Sequence, residues 1–272
     1  MKKPAKAIQY RGKDHTFVIC AYGESPYLEE CIRSLRQQSV RSRVLMVTST
    51  PSSFLEGMSE KYGIRLLVNQ GERGIAGDWN FAYAAAGTSL VTLAHQDDRY
   101  LKDYVKGILE SINEAKEPLI AFSNYYERRN EETVKNNQLL LVKRFLLFPL
   151  RFRIFWHRRW VRRRILSLGS PICCPSVTMV KTRLPSPLFE NNMKSNIDWQ
   201  AWEKVSRLRG SFVYVPEALM EHRIHPDSTT SEVVGDNQRR EEDLMMYRKF
   251  WPEWMARLLE HFYQNSEKSN EI

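Results

Sequence analysis

Two adjacent carboxylates stand directly after a short apolar run, in the stretch TLAHQDDRYL at residues 92–101. Asp97 and Asp98 repel each other, and each loses hydration wherever the site is partly closed. A solvated turn with helix-capping aspartates is one explanation, since aspartate is common where strands end and helices begin. A bound cation is the other explanation, because it turns the repulsion into ligation.

Further residues that suit metal-assisted chemistry lie later in the chain. Asp198 begins a predicted helix, and His222 and His225 lie near the end of the predicted core. Magnesium takes one or two protein carboxylates together with water and phosphate oxygens, and manganese accepts similar oxygens as well as imidazole. Such a metal stabilises a departing diphosphate, while a separate carboxylate such as Asp198 takes a proton from an attacking hydroxyl.

The first half of the chain alternates β-type runs with helical patterns, which is typical of a parallel α/β sheet. Four strands are predicted there, at residues 15–22, 43–47, 64–68 and 89–94. Ligands bind at the carboxyl edge of such sheets. The fourth strand therefore delivers Asp97 and Asp98 to the edge where a ligand is expected.

The second half is predicted to continue this α/β pattern and to end in helices. Its predicted elements are a helix at about 100–115, a strand at 118–126, a helix at 196–208, a strand at 211–215 and a helical end at about 237–264. We expect one domain over residues 1–230, followed by a helical extension with a polar tail over 231–272.

The composition favours a globular protein of a reducing compartment. The chain has 272 residues, of which 42% are hydrophobic and 27% are charged, so it is long enough to bury a core. Its four cysteines form no CxxC pair, and the opening MKKPAKAIQYRGKDH lacks the apolar core of a signal peptide. No run of about 20 apolar residues is present. These features predict a cytoplasmic location.

The formal net charge of +9 is concentrated in one stretch. Residues 143–164, KRFLLFPLRFRIFWHRRWVRRR, hold nine basic residues and no acidic one. Phe152, Phe155, Trp156 and Trp160 recur at helical spacing, which predicts an amphipathic helix within the basic-aromatic segment 143–166. Such a helix suits an anionic membrane surface. A solvated basic helix packed on the core and a nucleic-acid site are the alternatives.

Four motifs in order resemble those of the family 2 glycosyltransferases. HTFVICAYGESPYLEECIRSLRQQS resembles the family's first strand, turn and helix, and NQGERGIAGDWNFAYAAAGTSLVTLAHQDD is similar to its glycine- and asparagine-containing segment leading into a D-x-D motif. IDWQAW resembles the E-D-W-x-x-W motif, and HRIHPDSTT resembles a late R-x-H-x-x-S-x-S element. The likeness spans roughly residues 16–230.

The resemblance implies a GT-A fold that uses a nucleotide-diphospho-sugar and a divalent manganese or magnesium ion. It implies that Asp198 is the catalytic base of an inverting reaction. Asp97, with Asp98 beside it, falls on the metal-binding aspartate, and His225 falls on the late histidine of the metal shell. The residues implied to lie against the nucleotide or its sugar are Ala21, Tyr22, Glu24, Gly74, Asn80, His95 and Gln96.

Three positions depart from the family pattern. His95 occupies the first position of D-x-D, where a carboxylate is usual. The letters after the second strand are Thr48-Ser49-Thr50, where the family usually has an aspartate that contacts the base of the nucleotide. Ile197 precedes Asp198, where the family usually has a glutamate. The nucleotide therefore stays open between UDP, which the family favours, and dTDP or GDP.

Several of these residues also have simpler explanations. Asp198 suits the first turn of a helix, where a carboxylate is favourable with the helix dipole. His225 can be a hydrogen-bonded loop histidine, Gly74 a turn glycine, and Trp199 and Trp202 are expected to pack rather than to stack on a sugar.

Taken together, the sequence predicts a cytoplasmic glycosyltransferase held at the inner face of the membrane through residues 143–164. Its expected acceptor is a hydroxyl of a lipid-linked or cell-envelope polysaccharide. A catalytically silent relative acting as a partner protein, a nucleic-acid-binding α/β protein and a nucleotidyltransferase are the competing hypotheses. A nucleotidyltransferase is considered because two carboxylates and a metal serve that chemistry too. It would release pyrophosphate, whereas a glycosyltransferase releases a nucleoside diphosphate.

Overall fold

A computed structural model of the chain describes residues 9–225 and 237–268. In these ranges, nine strands form one sheet in the order β3-β2-β1-β4-β8-β6-β9-β5, with β7 beside β6. The strands are β1 His15–Ala21, β2 Arg43–Thr48, β3 Arg65–Val68, β4 Leu90–His95, β5 Arg99–Tyr100, β6 Pro118–Arg129, β7 Glu132–Val134, β8 Val177–Val180 and β9 Ser211–Ile224.

Most strands of this sheet run in the same direction. β1 pairs parallel with β2 and β4, and β2 pairs parallel with β3. β8 is antiparallel to both β4 and β6, and β9 is parallel to β6, so β6 and β9 run in the direction of β4. The carboxyl ends of these six strands therefore meet at one edge of the sheet, and the predicted mostly parallel α/β sheet is confirmed.

Helices flank this sheet. In the described ranges they are α1 Leu28–Arg36, α2 Ser53–Tyr62, α3 Ile75–Ala85, α4 Tyr104–Glu114, α5 Gln138–Leu147, α6 Arg159–Leu166, α7 Ile197–Ser206, α8 Asn237–Arg248 and α9 Glu253–Lys268. Seven of these described helices lie between strands in the chain, and α8 and α9 follow the last strand.

The ends of the early helices follow the sequence signals. The side chain of Ser52 caps α2 by accepting a hydrogen bond from the backbone N–H of Leu55. Gly63 ends the helix at φ 56°, in the left-handed region that glycine adopts without strain. Leu28, Ile32 and Leu35 line the buried face of α1 at helical spacing.

Two predicted boundaries change because long-range strand pairs form. The helix expected from about residue 100 begins at Tyr104, because Arg99 and Tyr100 pair with Glu221 and Met220 of β9. The strand expected over 211–215 continues to Ile224 along β6. Both changes bring the end of β9 next to residues 97–99, which local sequence patterns do not show.

The predicted C-terminal helices are present, and α8 packs against α7. The ring of Tyr247 in α8 lies 5.2 Å from that of Trp199, and the indole N–H of Trp251 donates to the carbonyl of Ser167 at 2.7 Å. The expected domain boundary near residue 230 falls between the described ranges, and the polar tail beyond residue 268 also lies outside the described residues.

The prediction of an amphipathic helix through the basic-aromatic segment was wrong. The segment contains α5, two short 3-10 helices at Phe148–Arg151 and Arg153–Phe155, and then α6. Trp156 is buried, and its indole N–H donates to the carbonyl of Leu150. Arg162 is buried and donates to the carbonyls of Ser206, the last residue of α7, and of Leu208 and Gly210 beyond it. These tertiary partners override the helical spacing.

None of the helices in the described ranges is long and apolar enough to cross a membrane.

Candidate active site

The two aspartates of the sequence motif lie in the turn after β4, which we call the acidic turn (residues 95–98). Asp98 is buried, and its Oδ1 accepts hydrogen bonds from Nδ1 of His222 at 2.9 Å and from the backbone N–H of Arg223 at 3.0 Å. Its Oδ2 makes no hydrogen bond with any described residue. One carboxylate oxygen is therefore fixed, while the other is available to a cation.

His95 completes a group of three potential metal ligands. Ligand atoms of His95, Asp97 and Asp98 all lie within 4.8 Å of one another. Burial lowers the pKa of His95, so its imidazole is neutral at pH 7 and can offer a lone pair. Two carboxylates and an imidazole fit a divalent transition metal such as Mn²⁺. Sequence reasoning assigned His95 to the nucleotide, whereas the structure also groups it with the metal ligands.

His225, predicted in the metal shell, is bonded to one of the aspartates. Its Nε2 lies 3.0 Å from Oδ2 of Asp97. Burial tends to raise the pKa of Asp97, but this hydrogen bond and the neighbouring histidines outweigh it and lower the pKa. Burial also tends to lower the pKa of His222, but the charge of Asp98 outweighs it and raises the pKa. His225 and the neighbouring histidines thus keep Asp97 in the ionised form that a metal requires.

Arg223 fixes the acidic turn, and sequence reasoning did not single it out. This buried side chain donates to the carbonyl of Asp97 at 3.0 Å and also binds Glu30 and Glu131. Its guanidinium stacks over the ring of Tyr27 at 4.1 Å. The R-x-H spacing of the late motif was the available signal, because alternate residues at the end of β9 place Arg223 and His225 together.

The predicted nucleotide residues near β1 lie at the same edge. The side chain of Gln96 accepts from the backbone N–H of Tyr22 at 3.1 Å and donates to its carbonyl at 2.8 Å. This pair of bonds joins the ends of β1 and β4 just after Ala21. The Tyr22 side chain is 68% exposed, and Glu24 is also exposed, so both are accessible to a ligand.

The predicted donor segment at α3 is shaped by close contacts. Gly74 precedes α3 at φ 92°, which only glycine adopts readily. A Cβ on Gly77 would lie 2.2 Å from the carbonyl oxygen of Glu72, so this position requires glycine. The Asn80 side chain accepts from the backbone N–H groups of Leu188 and Phe189 at 3.0 Å and donates to the Phe189 carbonyl. Asn80 therefore anchors the loop at 188–189, and its predicted contact with the donor stays a prediction.

A carboxylate lies beside the end of β2 although the sequence there has none. Asp78 of α3 accepts from the hydroxyl of Ser49 and from the amide of Asn69, both at 2.7 Å. Ser49 is one of the residues that replace the family's usual aspartate. Sequence reasoning missed Asp78 because helix α3 supplies it from 29 residues further along the chain.

Asp198, the predicted base, lies in the first turn of α7. Its Oδ1 accepts from the backbone N–H of Trp199 at 2.7 Å, as expected for a carboxylate at a helix start. Burial raises its pKa to about 6, against the smaller opposing effects of that bond and of the charges on Lys143 and Arg239. A carboxyl with such a pKa exchanges protons near neutral pH, which suits a general base.

A row of aromatic rings connects the helix of Asp198 with the acidic turn. Trp202 follows Asp198 by four residues and so lies on the same face of α7. The ring centroids of Trp202 and Phe189 lie 6.3 Å apart, and those of Phe189 and Trp79 lie 5.1 Å apart. Trp79 stacks on His95 with 5.4 Å between the ring centroids. Trp199 and Trp202 are both fully buried, so the expectation that they pack is confirmed.

The segment before β8 lies near both Asp98 and Asp198. Burial raises the pKa of Cys173, and the charges of Asp98 and Asp198 both add to that rise. The proposed metal ligand Asp98 and Asp198, whose pKa is raised, therefore both lie near Cys173. This arrangement can hold a diphosphate through a metal and deprotonate a hydroxyl beside it.

Comparison with known proteins identifies the family of the chain. The model of Glycosyl transferase family 2 matches residues 16–183. No curated protein sequence matches the chain.

Solved structures share the fold at low sequence identity. TarS of S. aureus in complex with UDP-GlcNAc matches with a TM-score of 0.63 and 16% identity, over 95% of this chain and 73% of that one. The mannosyltransferase PcManGT of Pyrobaculum calidifontis, in complex with GDP-Man and Mn²⁺, matches with a TM-score of 0.62 and 15% identity, over 96% and 74%.

A third similar structure is glucosyl-3-phosphoglycerate synthase of Mycobacterium tuberculosis in complex with Mn²⁺, UDP and glucosyl-3-phosphoglycerate. It matches with a TM-score of 0.59 and 14% identity, over 89% of this chain and 81% of that one. The predicted GT-A fold is thereby confirmed. Because the family model covers more than half of the sequence, the chain belongs to glycosyl transferase family 2 and is a glycosyltransferase.

Proposed function

We propose that this enzyme moves a sugar from a nucleotide-diphospho-sugar to an acceptor hydroxyl with inversion at the anomeric carbon, and that Asp198 is the general base. The observation that carries the proposal is that two kinds of carboxyl lie near the same segment, at Cys173. The acidic turn offers two aspartates, with one oxygen of Asp98 that accepts no hydrogen bond from any described residue, and α7 offers a carboxyl with a pKa of about 6.

Each residue has a separate task in this reaction. Asp97, Asp98 and His95 would hold a manganese or magnesium ion, which supplies positive charge for the departing diphosphate. Asp198 takes the proton from the acceptor hydroxyl as the oxygen attacks the anomeric carbon. A single displacement from the side opposite the diphosphate inverts that carbon. His222 and Arg223 fix one oxygen of the Asp98 carboxylate, and the other oxygen would bind the ion.

The donor side of the site is proposed to bind the nucleotide along the ends of β1 and β4 and the start of α3. A UDP-sugar is the default donor, and dTDP and GDP remain alternatives. Asp78 is proposed to accept a hydrogen bond from the base of the nucleotide in place of the family's usual aspartate. Uracil, thymine and guanine all carry a ring N–H, so Asp78 alone does not choose among them.

Calorimetry with UDP, GDP and dTDP tests the donor site, in Mn²⁺ and in EDTA. We expect one nucleotide to bind only with Mn²⁺, and Asp97→Ala to abolish that binding. Asp103→Ala is a matched control, because Asp103 is an exposed aspartate that accepts from the Ser39 hydroxyl rather than belonging to the acidic turn. Absence of binding for every nucleotide would leave a silent relative as the better interpretation.

The acceptor is proposed to be a lipid-linked or cell-envelope glycan at the inner face of the membrane. Support comes from a largely exposed row of aromatic rings on the basic segment. Successive ring centroids lie 5.7–6.5 Å apart in the order Phe148, Phe152, Phe155 and Trp160. Phe145 is 78% exposed and Trp160 is 67% exposed. Exposed arginines lie between these rings in the sequence, at Arg151, Arg153, Arg158 and Arg159.

Apolar rings beside basic groups suit the headgroup layer of an anionic bilayer. Each basic residue near such a surface contributes about 1 kcal/mol. Sedimentation with neutral and phosphatidylglycerol-containing vesicles tests this. We expect salt-sensitive binding to the anionic vesicles that falls about 10-fold in Trp160→Ala. Trp254→Ala, at an exposed tryptophan of α9, should bind like wild type, and stronger binding to oligonucleotides than to vesicles would contradict the membrane proposal.

A further inference from the structure

The turn that leads into the predicted base is held by one carboxylate from the C-terminal extension. We call residues 194–198 the base turn. Glu242 of α8 accepts hydrogen bonds from the backbone N–H groups of Lys194, Ser195 and Asn196 at 2.7, 2.8 and 3.1 Å. It also accepts from the Ser195 hydroxyl at 2.6 Å. Three consecutive backbone donors are thus fixed just before Asp198.

The neighbouring residue of α8 strengthens this attachment. Oδ1 of Asp243 accepts from the side-chain amide of Asn196 at 2.7 Å, and both residues are buried. Asn196 is the residue immediately before α7. The attachment therefore sets both the path of the base turn and the point at which α7 begins.

Helix α8 also acts on Asp198 itself, through the positive charge of Arg239. Arg239 of α8 lies close enough to Asp198 to lower the pKa that burial raises. Tyr247, further along α8, packs edge-to-face against Trp199, the residue after Asp198. The same helix thus contacts the chain before and after the base.

The carboxylate that makes these bonds is suited to holding a fixed geometry. Glu242 is only 4% exposed. Burial tends to raise its pKa, but the Ser195 hydroxyl and the three backbone N–H groups outweigh burial and lower it, so Glu242 is ionised. Hydrogen bonds to an ionised acceptor are about twice as strong as neutral ones. Four such bonds leave the base turn little freedom.

We infer that Glu242 is a positioning residue for transfer, which fixes the orientation of Asp198 toward the acceptor hydroxyl through the base turn. This inference rests on the proposed function of Asp198. It makes the C-terminal extension part of the catalytic apparatus, although the family model ends at residue 183. Displacing a catalytic group by about 1 Å can cost about 100-fold in rate. Loss of the hydrogen bonds between Glu242 and the base turn should therefore lower kcat measurably.

The test replaces Glu242 with glutamine and measures three properties. Glu242→Gln keeps the size of the side chain but replaces one accepting oxygen with an N–H₂ group, which cannot accept from the backbone. The properties are the rate of nucleoside diphosphate release from UDP-glucose, UDP-N-acetylglucosamine and GDP-mannose, the Mn²⁺-dependent nucleotide affinity, and amide hydrogen exchange over residues 194–202.

Glu253→Gln is the matched control. Glu253 is a carboxylate of the same extension with three hydrogen bonds from arginines, yet its partners are Arg248 and Arg257 rather than the base turn. Ser195→Ala removes only the hydroxyl donor to Glu242 and is a milder variant, should Glu242→Gln fold poorly.

We expect Glu242→Gln to lower kcat about 10- to 100-fold, with nucleotide affinity unchanged and faster exchange in residues 194–202. Ser195→Ala should lower kcat a few fold, and Glu253→Gln should match wild type in every measurement. The inference is overturned if exchange in the base turn rises while kcat stays at the wild-type value. It is also overturned if kcat and nucleotide affinity fall together.

Failure of the proposed function has a different signature. A wild-type chain that releases no nucleoside diphosphate from any donor contradicts the transferase proposal, and the catalytic role of Glu242 falls with it. Hydrogen exchange then still decides whether Glu242 holds the base turn. Unchanged exchange in Glu242→Gln would overturn that structural part as well.

Discussion

The acidic turn and the base turn carry the same residue type in opposite environments. Asp98 lies in contact with His222 and the backbone N–H of Arg223, and Asp97 lies in contact with His225. Asp198 accepts one backbone hydrogen bond, from Trp199, and burial is the largest influence on its pKa. The first environment lowers the pKa of Asp97, whereas the second raises that of Asp198 to about 6.

This difference supports the two roles proposed for these carboxyls, one as cation ligands and the other as a proton acceptor. A metal ligand must remain ionised, and nearby hydrogen-bond donors secure that state. A general base must gain and lose a proton near the working pH, and burial moves a carboxyl toward that range. Separate partners, rather than separate residue types, therefore divide the two roles.

The largest expected effect is the fall in kcat when Asp198 of the base turn is replaced. Asp198→Asn keeps the bond to Trp199 but removes the proton acceptor, so kcat should fall by about 10²–10⁴. Mn²⁺-dependent nucleotide affinity should change less than about threefold, because the acidic turn is intact. Nucleoside diphosphate release and calorimetry on the same preparation measure the two. Asp103→Asn should leave both unchanged, and a fully active Asp198→Asn enzyme would remove Asp198 from the mechanism.

The next effect concerns the support of the acidic turn. His222→Ala deprives Oδ1 of Asp98 of a partner and frees the carboxylate to rotate, so Mn²⁺ affinity should fall about 10- to 100-fold. Manganese titration in the presence of the bound nucleotide measures it. His157→Ala is the control, because His157 lies near Ser211 and Glu117 rather than the acidic turn. Equal losses in the two variants would point to a general loss of structure.

The rate should also depend on pH through Asp198. Its pKa of about 6 means that the base is ionised above pH 6 and protonated below it. We therefore expect kcat/KM to fall about tenfold for each pH unit below about 6 and to level off above it. Asp198→Asn should lose this acid limb from its residual activity. A limb that persists unchanged in the variant would assign it to another group.

The smallest effects are on stability, and they should have opposite signs in the two turns. Because burial raises the pKa of Asp198, its ionisation destabilises the folded state at high pH, and Asp198→Asn should raise the free energy of unfolding at pH 8 by about 1–2 kcal/mol. The gain should vanish as the pH falls below the ordinary aspartate value. Asp97 has a lowered pKa, so Asp97→Asn should instead lose about 1–2 kcal/mol at pH 8.

Urea unfolding at pH 8 and at pH 4 measures both variants against wild type. Asp97 contributes its stability above its ordinary pKa and loses it as the pH falls through the lowered folded value. Destabilisation of similar size in both variants at pH 8 would mean that the two environments do not differ as described.

Local patterns predicted the strands β1 to β4, the helices between them and the position of the acidic turn. The apolar runs, Gly63 and the carboxylates after β4 are signals carried by neighbouring residues, so no tertiary contact is needed to interpret them. The exception is the basic segment, where helical spacing suggested one amphipathic helix. Burial of Trp156 and Arg162 against distant carbonyls decided otherwise.

By itself, then, the sequence determined the α/β class, the family and which carboxylates are proposed to act on a donor and an acceptor. Only the tertiary structure decided which atoms surround them. Asp78 reaches the end of β2 from another helix, His222 and Arg223 reach Asp98 from β9, and Glu242 reaches the base turn from α8. The protonation and orientation of a carboxyl depend on burial and on donors brought close by folding, and sequence spacing does not record those distances.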